Sequence, residues 1–169
     1  MFVDEAGLYL LPGLVRTYSP AGLTPVVYEW QTRDHLSVMA GLTRRGRLSV
    51  RVRADSLGGG DSAAFLGRLA RRGRWLVVWD GSPIHRCAPV RELLASRPLG
   101  RRLWLERLPG YAPELNPVEG LWQQLKHVEL RNVACLDLDH LRQELRAAIC
   151  RVRQKEWLTN GFFRGAGLT

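Results

Sequence analysis

One short run constrains the fold more than any other part of this chain. RWLVVWD, residues 74–80, places Leu76, Val77, Val78 and Trp79 in an unbroken apolar sequence that ends on Asp80. A strand with no polar alternation is expected to be covered on both faces, as in a sheet flanked by helices. Helical spacing of Phe65, Leu66 and Leu69 in AAFLGRLARRG predicts a helix just before it, capped by Asp61 or Ser62. VRELLAS predicts a short helix just after it, and RLWLERLP another strand. FVDEAGLYL and VVYEW read as strands further upstream, with the turn-rich 12–25 between them. LSVMAGLT and RLSVRVRA then read as a hairpin about residues 44–47. Strands first, then strands alternating with helices, predict an α/β domain with a mixed sheet.

The C-terminal third reads as helical. Val118, Leu121, Trp122, Leu125 and Val128 form one apolar stripe, and Leu141, Leu145, Ala148, Ile149 and Val152 another. The second stripe predicts a single last helix over 138–158. Arg142, Arg146, Arg153 and Lys155 lie mostly off it, on a solvated face.

Charge narrows the function classes. The formal net charge is +9, which makes a polyanion the obvious partner. Only Lys126 and Lys155 are lysines, however, and an arginine bias this strong also arises from a GC-rich genome. No apolar run is long enough to span a membrane, and MFVDEAG has no secretory pattern. Cys87, Cys135 and Cys150 are odd in number and lack a C-x-x-C spacing, so they read as small buried thiols in a reducing cytoplasm. His85 and Cys87 have no second ligand pair for zinc. SLGGGDS lacks the G-K-[ST] ending of a phosphate loop and reads as a connector.

Three acids stand out against this basic background. Asp80 ends an apolar strand, where functional groups gather in α/β sheets, although Asp-Gly is also a common turn. Asp4 lies inside a strand, where an acid is disfavoured unless it sits on an exposed edge or meets a cation. Glu119 follows the helix start Asn116-Pro117-Val118 at the spacing of a capping box, so it could simply bond back to the Asn116 backbone. On a helical wheel it falls off the apolar stripe, free to face a cleft. Carboxylates gathered on a basic chain suit Mg²⁺, which takes hard oxygen ligands. Two such ions about 3.5–4 Å apart assist phosphodiester cleavage.

FVDEAG, VVWDGSPIH and LPGYAPELNPVEGLWQQLK together resemble the catalytic domain of mariner-like DDE transposases, in their bacterial insertion-sequence branch. The resemblance spans nearly the whole chain, and its last block is the most specific. It implies an RNase H-like (retroviral-integrase-like) fold: a mixed sheet flanked by helices. It implies a site of two Mg²⁺ or Mn²⁺ ions held by Asp4, Asp80 and Glu119, with Glu119 preferred to Glu114 because it closes N-P-x-E. His85 and Asn116 also match motif positions and are expected to support the acids from behind without a fixed role, and Glu5 matches too, to support them, bond a ligand or face solvent. The implied activity is hydrolysis at transposon ends and strand transfer into double-stranded target DNA, by a homodimer, in the bacterial cytoplasm at the nucleoid. Residues 1–169 are expected to form that catalytic domain alone, without the helix-turn-helix modules that usually precede it. The chain would then be the second frame of a split element, a truncated copy or a trimmed chain. A catalytically silent DNA-binding remnant, or another RNase H-like nuclease, are the alternative readings.

Overall fold

The computed structural model describes residues 1–10, 18–23, 26, 34–110 and 112–168. Five strands form one sheet: β1 (Phe2–Tyr9), β2 (His35–Leu42), β3 (Leu48–Arg53), β4 (Trp75–Trp79) and β5 (Leu103–Arg107). Their order is β3-β2-β1-β4-β5. The hairpin β2–β3 and the pair β1–β2 are antiparallel, whereas β1–β4 and β4–β5 are parallel. The helices are α1 (Gly59–Arg72), α2 (Ala88–Ala95), α3 (Pro117–Gln124), α4 (Leu138–Arg153) and α5 (Glu156–Gly165). None of the described helices is long and apolar enough to cross a membrane. The strand expected over 26–30 falls, beyond Val26, outside the described residues, as does most of 12–25.

Strand alternation splits the core in two. Val3, Met39, Val77, Trp79 and Leu103 face α1 and α2, where Phe65, Leu66, Leu69 and Val90 close the layer. Leu8, Leu36, Val38, Ala40 and Leu42 face α3, α4 and α5 on the other side. That second layer covers β1–β3 only. Leu76 is therefore 52% exposed and Trp104 of β5 is 68% exposed, so β4 is not covered on both faces as its apolar run suggests.

Other local expectations shift for physical reasons. α1 starts at Gly59 with Gly58 as its cap, and Asp61 sits one turn inside. From there the Asp61 carboxylate accepts from the Gly58 N–H at 3.1 Å and from Arg51 Nε at 2.9 Å. The helix begun by α3 widens into a π turn over Leu125–Glu129, closed by Leu130 N–H donating to the Leu125 carbonyl at 2.9 Å. The extra residue per turn swings Val128 out of the stripe, leaving it 50% exposed. The single last helix is two, broken at Gln154–Lys155. No proline or glycine stands there; Lys155 Nζ instead reaches Glu129 at 3.3 Å. Of the three thiols expected to be buried, Cys150 is exposed and the other two are half-buried.

Candidate active site

The centre of the sheet carries the first acid. β1 lies between β2 and β4, so Asp4 is on no edge. It is 9% exposed, which overturns the exposed-edge reading, and its partner is an aromatic donor rather than a cation. Trp122 Nε1 of α3 donates to Asp4 Oδ2 at 2.8 Å. Burial pushes the Asp4 carboxyl up to about 7; the Trp122 bond opposes that rise, and the nearby Glu119 and Glu5 charges add to it. An acid that holds its proton to neutrality, for want of a positive partner, is what an oxygen-ligating cation relieves.

Asp80 enters from the neighbouring strand. Phe2 pairs with Val78 in parallel register, and Val78 N–H donates to the Met1 carbonyl at 2.8 Å. Carried forward two residues, this register aligns Asp4 with Asp80, on chains about 4.8 Å apart where strands are paired. Asp80 stands one residue past the end of β4 and is half exposed. Its Oδ1 accepts from the Ser82 N–H at 2.9 Å, so it does form the local turn that Asp-Gly suggests.

Glu119 arrives on the first turn of α3, whose start is set by Asn116. Asn116 is 5% exposed, and its Oδ1 accepts from the Val118 N–H at 3.2 Å. The Asn116 N–H donates to the Pro113 carbonyl at 2.9 Å, so it is not available to Glu119. The capping box that the spacing suggests is not made. Glu119 is half-buried, and among the described residues its carboxylate makes no hydrogen bond or ion pair. Its charge acts on Asp4 instead. Glu114, in the 3-10 turn before α3, is exposed.

His85 ties the other side of the cluster together. Its Nδ1 lies 2.9 Å from Asp80 Oδ1, its Nε2 lies 3.0 Å from Glu5 Oε1, and its ring stacks on Trp79 at 3.9 Å. Burial by itself would lower the His85 pKa. The Glu5 hydrogen bond and charge, helped by Asp80, outweigh it and raise the value. Acceptors at both nitrogens call for the doubly protonated ring, which has no lone pair for a metal. Glu5, Asp80 and His85 do bring ligand atoms within 4.8 Å of one another. We read this group as an imidazolium clamped between two carboxylates, with Asp80 following the strand that pairs with the one carrying Asp4.

The structure thus sets Asp4 near Glu119, aligns Asp80 with Asp4, and joins Glu5 and His85 to Asp80; Asn116 acts through the helix start. Trp122 escaped sequence reading because its apolar stripe accounted for it fully. Its spacing of three residues from Glu119, which puts both on one side of α3, was the available signal.

Comparison with known proteins bears on the family and the fold. A family model described as a DDE superfamily endonuclease matches residues 1–142. No curated protein sequence matches the chain. The Mos1 strand transfer complex superposes with a TM-score of 0.61 at 16% identity, covering 98% of this chain and 53% of that one. The mariner Mos1 paired end complex with Mg gives 0.61 at 16% identity, over 98% and 54%. The catalytic domain of Mos1 mariner transposase gives 0.54 at 13% identity, over 98% and 80%. The chain spans about half the length of the Mos1 chains in the two complexes. Identities this low speak for the fold, and the five-stranded mixed sheet with its helices is the RNase H-like fold of DDE transposase catalytic domains. With most of its length matched by the family model, the chain belongs to the DDE superfamily endonucleases.

Proposed function

We propose that this chain is the catalytic domain of a cut-and-paste DNA transposase of the bacterial insertion-sequence branch, cleaving phosphodiesters at element ends and joining them to target DNA. The observation that carries the reading is Asp4: a carboxyl buried in a central strand against Glu119 and Glu5, with an indole N–H as its hydrogen-bond partner. Mos1 mariner paired end complexes hold Mn or Mg, and divalent metal is the matching expectation here.

The donor set fits such ions. Asp4, Asp80 and Glu119 offer hard carboxylate oxygens without a competing lysine or arginine ion pair among the described residues. We assign these three as the ligands of two Mg²⁺ or Mn²⁺ ions. When bound, the ions neutralise charge at the phosphodiester and lower the pKa of the attacking water. The chain's own residues do the rest. Trp122 donates to Asp4 Oδ2 and so holds that carboxylate in place, where its anionic form would ligate a cation. His85 fixes Asp80 through Nδ1 and Glu5 through Nε2. Asn116 fixes the first turn of α3, and with it the position of Glu119.

The substrate follows from charge: a +9 chain suits duplex DNA. Joining two ends requires a second copy, so a homodimer is the working assembly, and a bacterial element places it in the cytoplasm at the nucleoid. Nicking and strand transfer on end-containing duplexes, with Mg²⁺, Mn²⁺ or EDTA, test the reading. Metal-dependent 3′-OH formation is the expected result. Binding without cleavage at any metal concentration would leave the silent remnant, and preference for RNA–DNA hybrids would leave another RNase H-like nuclease.

A further inference from the structure

β5 brings to the end of β4 a side chain with no part in the proposed metal site. Arg107 ends β5 and pairs with Trp79, the last residue of β4, so its backbone lies beside the strand end that Asp80 follows. Its guanidinium folds back across that end. A Cβ on Gly81 would collide with Nε, Cζ and Nη2 of Arg107 at once, so the guanidinium lies against the backbone one residue past Asp80. Gly81 does not have a positive φ, so backbone conformation does not require glycine there. What the missing side chain allows is the close approach of Arg107.

The arginine spends that approach on no protein partner. Arg107 is exposed, and among the described residues its guanidinium makes no hydrogen bond or ion pair. Charges on edge strands commonly serve only to block strand addition. A blocking charge, however, has no need of a neighbour kept free of side chain. A guanidinium is permanently charged and presents a fork of donors that matches two oxygens of one phosphate. Asp80 precedes Gly81, and His85 joins Glu5 to it, so two carboxylates at this end of the sheet repel a polyanion and a cation at this edge offsets that repulsion.

We propose that Arg107 is a phosphate-contact residue, holding non-bridging oxygens of the DNA strand beside Asp80, and that Gly81 is the space in which it does so. The inference rests on the proposed nuclease activity for its catalytic readout, but not for its binding readout.

The test compares the parent with Arg107→Ala, Gly81→Ala and the double variant, using Arg146→Ala on α4 as a control for general charge. In Mg²⁺-dependent nicking, each single variant should lower kcat/KM by about tenfold to a hundredfold, less than the roughly hundredfold to thousandfold of a buried oxyanion donor because Arg107 is exposed. The double variant should lose no more than the worse single, because both changes remove one guanidinium contact; Arg107→Lys should recover part of the loss. Mn²⁺ binding by calorimetry should be the same in all. Duplex affinity should fall, with a salt slope shallower by about 0.9, one phosphate contact. Parental nicking by Arg107→Ala, or single losses that multiply in the double variant, would overturn the proposal. A parent that binds duplex without nicking would overturn the activity alone. Duplex binding then decides: unchanged affinity and slope in Arg107→Ala, or an equal loss in Arg146→Ala, would count against Arg107.

Discussion

Asp4 and Glu119 show how burial turns an ordinary residue type into a candidate ligand. The Asp4 carboxyl is raised from 3.8 to about 7, with burial the main cause. The sign follows directly: the folded chain holds a proton that the unfolded chain gives up. Asp4's contribution is fully present below about pH 3.8 and is lost as pH rises through about 7. The loss is at most on the order of 4 kcal/mol. Urea unfolding at pH 5 and pH 8 should therefore show the metal-free parent losing stability relative to Asp4→Asn, and Mg²⁺ should restore it in the parent only. Identical pH dependence in the two proteins would refute the burial argument. Glu119→Gln is the complementary case. Its carboxylate caps nothing, so folding should be near normal, within about 0.5 kcal/mol as for most half-exposed sites. Catalysis should be lost. Equal nicking by variant and parent would show that the Glu119 charge is dispensable.

α3 matters through its packing against β1 and β2 on one side and α5 on the other. Trp122 connects it to Asp4. Gly120 lets α5 approach, since a Cβ there would lie 2.8 Å from Phe162 Cδ1. Gly120→Ala should cost about 1–3 kcal/mol by overpacking. Because Glu119 is the preceding residue, nicking should fall more than stability alone explains; a thermal melt and a rate measured well below the transition separate the two. The π turn that follows serves the same junction. It brings Glu129 to Arg151 Nε at 2.6 Å and to Lys155 Nζ at 3.3 Å. Glu129→Gln should destabilise by about 1–2 kcal/mol, since the partners are half exposed and can return to water. A change below a few tenths in denaturant unfolding would mean that α4 and α5 pack without this tie.

For the whole molecule, the balance lies between a basic surface and an acidic centre. Phosphate contacts supply affinity without sequence information, whereas base contacts supply specificity. Residues 1–169 on their own should bind end-containing and scrambled duplexes within about tenfold of each other, roughly 1.4 kcal/mol. Binding should weaken steeply with salt, because arginines displace condensed counterions. Titrations of matched duplexes at two salt concentrations give both numbers. A larger preference for end DNA would mean that the catalytic fold itself reads bases. No binding at low salt would return the arginine content to genome composition.

Sequence alone determined whatever depends on local periodicity and on motif chemistry. The apolar run before Asp80, the β2–β3 hairpin and the stripes of α3 and α4 were legible because each element's own residues bury its own face. The three acids could be singled out because hard charges in apolar or helix-start settings call for a reason. Tertiary structure decided the rest, because the reason lay in another element. The break at Gln154–Lys155 depends on packing and on Glu129, the exposure of Leu76 on a helical layer that stops at β1, and the freedom of Glu119 on Pro113 taking the Asn116 N–H. Arg107 over Gly81 belongs with these: two residues distant in sequence, joined only because β4 and β5 run side by side.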